Sequence, residues 1–179
     1  GRCFTFVAAP LLGFLVDSGV SAAVIALLGS LSFFLIAIAT VIFVCFGLGF
    51  FNRVYGMLNS GYPDLLVLRG AITAGDVINY KYFVVVNIVS FGLSGIGIIF
   101  VNIIAALNPE HRATIVQLAA GVTAFGTLLH VFIIDPQLSK AADTDPESLQ
   151  ILVTILLISR IMCASILGVG FAALYFWLA

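Results

Sequence analysis

Two side chains that could do chemistry, Arg160 and His130, lie within or beside long apolar runs of the sequence. An arginine at the centre of a membrane span costs about 2.5–3.5 kcal/mol on insertion scales, so it usually faces protein or water. Its guanidinium would suit an anionic substrate. The imidazole of His130 could ligate haem or a pigment through one ring nitrogen. The sequence therefore predicts either a polar path for an anion or a cofactor ligand at this depth.

Polar side chains on two neighbouring apolar segments could extend such a path. Asn87 and Ser94 lie seven residues apart on one segment, and Thr127 precedes His130 by three on the next. Residues at these spacings share one face of a helix. Asn87, Ser94 and Thr127, with His130 and Arg160, are thus the candidate lining residues of an intramembrane path, and simple packing inside a bundle is the alternative.

Arg160 also has a structural interpretation. If the last apolar segment spans the membrane only over residues 161–178, the arginine is an anchor whose guanidinium reaches the headgroups. The aromatic run Tyr175 to Trp177 would then mark the opposite interface. Both interpretations predict that the guanidinium meets an acceptor on protein or a headgroup, and not bare hydrocarbon.

Composition identifies the solvent of this chain. Of its 179 residues, 63% are hydrophobic and only 8% are charged, whereas soluble domains carry about 25% charged residues. Lipid or other apolar protein must therefore cover most of the surface. The net charge of −1 and the absence of a basic block argue against nucleic acid as a partner. No cysteine or histidine spacing in the sequence indicates a metal site.

The fold expected is an all-α transmembrane bundle within a single membrane domain, residues 1–179. A membrane helix needs about 20 mostly apolar residues, and four continuous runs meet that requirement. A shorter run at residues 3–16 is interfacial, re-entrant or an incomplete fifth helix. The predicted spans are residues 20–51, 82–107, 113–134 and 149–178.

Small residues on the second and fourth runs predict close helix packing. Ala164, Gly168 and Ala172 recur every four residues on the last run, and Ser90 and Gly97 lie on the second. Such residues let helix backbones approach where lipid supplies no hydrophobic driving force.

The connections suggest breaks and an orientation. Asn108-Pro109 predicts a tight hairpin, and Asp135-Pro136 predicts the end of the third helix and the start of a polar loop. The predicted spans contain no acidic residue, which argues against a proton or cation carrier. By the positive-inside tendency, the loops at 52–81 and 136–147 lie on the cytoplasmic, matrix or stromal side.

The leading functional hypothesis from the sequence is a non-catalytic subunit of a larger membrane complex, such as an energy-converting complex in an organellar inner or thylakoid membrane. Its partners would be membrane lipids and other membrane subunits, with a pigment as a further ligand. The alternative is a transporter or channel, for an anionic substrate, whose path Arg160 and His130 line. No catalytic motif is present, and a small membrane enzyme using Arg160 and His130 is the third hypothesis.

Overall fold

The computed structural model of the chain describes residues 11–47, 74–144 and 146–179. These residues are almost entirely helical, and no strand occurs among them. The expectations for residues 3–10, for the connection at 52–73 and for the end of the first predicted span lie outside the described residues. The elements in chain order are α1 (residues 11–17), α2 (Ala22–Ile42), α3 (Ala74–Asn79), α4 (Lys81–Leu107), α5 (Arg112–Leu129), α6 (Asp135–Thr144) and α7 (Pro146–Leu178).

The all-α membrane bundle predicted from the sequence is confirmed. Within residues 11–47, 74–144 and 146–179, four helical segments are long and apolar enough to cross a membrane. Large apolar side chains such as Leu118, Phe125 and Phe132 remain exposed on the outside of the bundle, where they contact lipid. The four segments are Ala22–Phe46, Lys81–Leu107, Pro109–Asp143 and Ser148–Leu178.

Local signals define the helix ends at the α1–α2 and α4–α5 connections. Gly19 adopts φ 77° between α1 and α2, a conformation that side-chain-bearing residues rarely enter. Ser21 then caps α2, because its hydroxyl accepts a hydrogen bond from the amide of Val24. The predicted break at Asn108-Pro109 is present as a 3-10 turn, Pro109–His111, between α4 and α5.

The predicted stop at Asp135-Pro136 is wrong. A π-helical turn, His130–Ile134, follows α5 directly and continues into α6 through Pro136. In a regular helix the proline ring would clash with the carbonyl four residues earlier; the wider turn just before it relieves this crowding. Asp135 therefore lies within a helical segment and not in a polar loop. The third segment that could span a membrane, Pro109–Asp143, thus contains an acidic residue beside His130, whereas the predicted span 113–134 has none.

Two helix pairs form the body of the bundle: α2 packs on α7, and α5 packs on α4, which also contacts α2 and α7. Ser30 Oγ donates to the carbonyl of Gly168 at 2.9 Å in the first pair. In the second pair, Ser90 Oγ donates to the carbonyl of Gly126 at 2.6 Å. Both bonds require the close backbone approach that glycine permits.

Two buried apolar clusters stabilise the bundle at different depths. One includes Phe33, Ile99 and Phe171 from α2, α4 and α7. The other includes Phe83 of α4 and Leu152 of α7, with residues of the α5–α6 connection. Because α7 has 33 residues, about 50 Å at 1.5 Å per residue, it must tilt or extend past a hydrocarbon core of about 30 Å.

Candidate functional site

A cavity of about 700 Å³ lies between α2, α4 and α5, and we call it the central groove. α4 contacts both other helices. One end of the groove is polar, whereas its walls toward the hairpin end are mostly apolar. The residues that define it include Leu12, Leu28, Phe33, Ile36, Phe91, Ser94, Ile98, Ile99, Thr127, His130, Asp135 and Arg160.

The polar end is a cluster of three ionisable side chains from two helical segments, Arg160, His130 and Asp135, which we call the Arg–His–Asp cluster. Arg160 Nη2 lies 3.4 Å from His130 Nε2. His130 Nε2 also lies 3.5 Å from Asp135 Oδ1. Asp135 also attracts the Arg160 guanidinium electrostatically. The Arg160 side chain thus lies against protein groups of the π-helical turn and of the first residue of α6.

The π-helical turn determines the position of Asp135. The backbone amide of Asp135 donates to the carbonyl of His130, five residues earlier. This longer hydrogen-bonded step widens the turn and brings both side chains to the groove. The carboxylate consequently faces the imidazole instead of continuing round the helix into a loop.

Arg160 has unused hydrogen-bonding capacity. Its Nε is buried and has no hydrogen-bond partner among the described residues. A guanidinium presents five donors in a planar fork that matches phosphate and carboxylate oxygens. The geometry can therefore receive an anionic group at the polar end of the groove.

The other end of the groove is built from aliphatic side chains. Ile98 and Ile99 of α4 lie about two turns beyond Ser90, toward the hairpin. Leu12 and Leu15 of α1 line the same region. The groove as a whole is amphipathic, with ionisable groups at one end and hydrocarbon along its length.

The structure brings four of the five candidate path residues to the groove: Arg160, His130, Ser94 and Thr127 line it. The two hydroxyls donate within their own helices, Ser94 to the carbonyl of Ser90 at 2.9 Å and Thr127 to that of Thr123 at 3.0 Å. Asn87 does not line the groove. It is fully buried against α7 and donates to Ser159 Oγ.

The predicted packing residues lie at helix contacts. Ala164 and Gly168 are buried on the α7 face toward α2, and Ala172 is partly buried. A Cβ at Gly168 would lie 3.2 Å from ring atoms of Phe34. Ser90 and Gly97 face α5, since a Cβ at Gly97 would lie 2.9 Å from Val122 Cγ1.

The haem or pigment ligand role of His130 stays a prediction. Its Nε2 already contacts Arg160 and Asp135, so axial ligation through that nitrogen would require these contacts to break. In the parts of the chain that the structure describes, no group of three or more His, Cys, Asp and Glu residues could hold a metal ion.

Two residues at or beside the Arg–His–Asp cluster, Asp135 and Ser159, are not among the site residues that the sequence predicts. The pair Asp135-Pro136 predicts a helix stop, although the spacing of five residues between His130 and Asp135 is that of a π-turn. No motif in the sequence predicts Ser159, which accepts a hydrogen bond from Asn87 one residue before Arg160. Its only signal was its place next to the arginine.

A family model described as "Amj: Alternate to MurJ" matches residues 62–177. The matched region includes α4, α5, α6 and nearly all of α7, and hence the whole Arg–His–Asp cluster. Comparisons with curated proteins and with solved structures gave no match. The family match covers more than half of the chain, and it agrees with the four helical segments of the described residues that are long and apolar enough to span a membrane. The chain is therefore an integral membrane protein and belongs to the Amj family.

Proposed function

We propose that this protein is a membrane transporter that moves an anionic, lipid-linked substrate of the lipid II type between leaflets. The family is described as an alternate to MurJ, and MurJ represents lipid II flippase-like membrane proteins. Lipid II is an isoprenyl diphosphate that carries a glycan headgroup. Its charged and apolar parts are thus adjacent in one molecule, as they are in the central groove.

The observation that carries this proposal is the position of Arg160 at the polar end of a groove whose walls are mostly apolar. Charge-assisted hydrogen bonds from a guanidinium to phosphate are about twice as strong as neutral ones. The diphosphate would bind at the Arg–His–Asp cluster. The first isoprene units would lie along Phe91 and Ile98 of α4, toward the hairpin end of the groove.

The size of the groove limits what it can hold. At about 700 Å³ it matches sites for drug-sized ligands, which suffices for a diphosphate and the first part of the tail. The glycan and most of the tail would remain outside, in the aqueous phase and the bilayer. The protein's role is accordingly to shield the charged group during transfer, with no chemical reaction on the substrate.

The subunit hypothesis, which led the sequence analysis, has no support in the family match, whereas the transporter alternative has. Purification separates the two. A transporter is expected to remain folded and active when purified without other protein subunits, and a packing subunit would lose its fold or bring its complex with it.

The direct test is lipid transfer in proteoliposomes. A fluorescent isoprenyl diphosphate–sugar would be incorporated, and its transfer between leaflets followed with a membrane-impermeant quencher. We expect transfer by the wild-type chain and its loss in Arg160→Gln. Lys140→Gln removes an exposed positive charge of α6 and serves as the charge-matched control. Equal transfer by all three proteins, or none by the wild type, contradicts the proposal.

A further inference from the structure

Contacts of His130 with Arg160 and with Asp135 in the central groove use the same ring nitrogen. Nε2 lies 3.4 Å from Arg160 Nη2 and 3.5 Å from Asp135 Oδ1. An imidazole nitrogen either carries a proton and donates, or lacks one and accepts. It therefore cannot serve both neighbours in the same protonation state.

The protonation state of Nε2 decides which of the two neighbours it can bind. A guanidinium only donates, and an ionised carboxylate only accepts. Unprotonated Nε2 fits Arg160 as its acceptor and offers nothing to Asp135. Protonated Nε2 fits Asp135 as its donor, and in the imidazolium form it repels the positive Arg160.

We propose that His130 is a proton-binding site coupled to anion binding at Arg160. A proton taken up from water forms the Nε2–H bond and moves the nitrogen's hydrogen bond from Arg160 to Asp135. The guanidinium then turns its donors toward the groove, where the anionic group of the substrate accepts them. This inference rests on the proposed transport function and adds a second transported or exchanged species, the proton.

Among the side chains that the structure describes, no other charged group of the neighbouring helices lies at the depth of the cluster. α2 has no ionisable residue, and the only ionisable residues of α4, Lys81 and Tyr82, lie at its first turn. On α7, Cys163 is buried and its thiol donates to the carbonyl of Ile88 at 3.8 Å. The other charged residues of α6, Lys140 and Asp143, are exposed beyond the cluster.

Coupling of this kind is reciprocal. If the proton raises the affinity for the anion, the anion must raise the affinity for the proton by the same factor, typically about 5–150-fold. The binding of substrate should consequently draw protons from solution. That uptake can be measured on the wild-type protein, without any substitution that could affect folding.

The test uses purified protein in detergent with a short-chain isoprenyl diphosphate–sugar. Both phosphates of this probe are diesterified and stay ionised over the pH range used. Calorimetric binding would be measured from pH 5.5 to pH 8.5, which brackets the titration of an ordinary histidine near about 6.5. Proton uptake would be read from the dependence of the binding heat on the ionisation enthalpy of the buffer.

We expect affinity to rise at least about 5-fold toward low pH, with uptake of up to one proton per ligand above pH 7. His130→Gln should bind with little pH dependence and no uptake. His111→Gln, at the exposed hairpin histidine, should behave as wild type. Asp135→Asn, which removes the acceptor of the imidazolium proton, should reduce the uptake.

Two outcomes would overturn the proposal in distinguishable ways. Binding that is lost in Arg160→Gln but constant with pH in the wild type, without proton uptake, removes the coupling and leaves the transport function standing. Binding of the probe that is insensitive to Arg160→Gln removes both.

Discussion

The side-chain amide of Asn87 on α4 donates to the hydroxyl of Ser159 on α7, and its Nδ2 also lies 3.2 Å from the carbonyl of Leu156. Ser159 in turn donates to Leu156 at 3.1 Å. This buried contact joins the two helices one residue before Arg160. The next residue of α7, Arg160, has its guanidinium against His130, with 3.4 Å between Nη2 and Nε2.

A double-mutant cycle at Asn87→Ala and Ser159→Ala should measure this contact. Interhelical hydrogen bonds in membrane proteins contribute about 0.6 kcal/mol on average and up to about 1.7 kcal/mol. We expect a coupling free energy in that range, measured as the free energy of unfolding in mixed micelles. Asn102 provides the control, because its amide donates within its own helix, to the carbonyl of Ile98. Strict additivity of the Asn87 and Ser159 substitutions would contradict the contact.

The approach of α4 and α5 predicts opposite effects at two glycines of the same helix. A Cβ at Gly126 would lie 2.8 Å from the Ser90 carbonyl oxygen and 3.1 Å from the Ser94 amide nitrogen, both backbone atoms. Gly126→Ala should therefore separate the helices, weaken the Ser90 bond and lower the free energy of unfolding by about 1–3 kcal/mol.

Gly121→Ala is the matched control, since a Cβ there meets nothing within 4 Å. Alanine favours a helix over glycine by about 0.8–1.0 kcal/mol in water, so this variant should be neutral or more stable. A Gly126→Ala protein as stable as Gly121→Ala would show that the two helices are farther apart than the structure has them.

The single tryptophan of the chain tests the depth of α7 in the bilayer. Trp177 is 79% exposed and lies seventeen residues after Arg160, about 26 Å along the helix. We expect it to lie in the interfacial region, where tryptophan is enriched. Brominated lipids should quench its fluorescence most strongly when the bromines lie near the headgroup.

A second tryptophan calibrates this measurement. In a Trp177→Phe background, Phe125→Trp places the indole near the middle of the helical segment Pro109–Asp143, at a side chain that is 59% exposed. Bromines near the chain ends should quench that probe most strongly. The same quenching profile for both positions would contradict the proposed depth, and with it an interfacial position for Arg160.

The elements of the fold that follow from hydropathy were predictable, and those that depend on neighbouring helices were not. The runs that became α4 and α7 are continuous and apolar, so their existence and approximate limits follow from composition alone. Asp135-Pro136 is a stop signal locally, yet Ala141 and Leu152 belong to one buried cluster, and this packing keeps the chain helical beyond the proline.

The face to which a polar residue belongs depends on tertiary packing in the same way. Asn87, Ser90 and Ser94 share one stripe of α4, but two different helices flank that stripe. Asn87 faces α7, whereas Ser90 faces α5. Spacing could place the three residues together on α4 and could not decide which of them lines the groove.

The most direct measurement of the central claim is photocrosslinking with an isoprenyl diphosphate–sugar that carries a diazirine in its first isoprene units. If the charged group binds at Arg160, labelled peptides should come from the groove faces of α2 and α4, around Phe33 and Phe91. Unlabelled lipid should compete, and Arg160→Gln should abolish the labelling. Labelling confined to the exposed lipid face of α5, around Leu118 and Phe125, and unchanged in Arg160→Gln, would contradict the account.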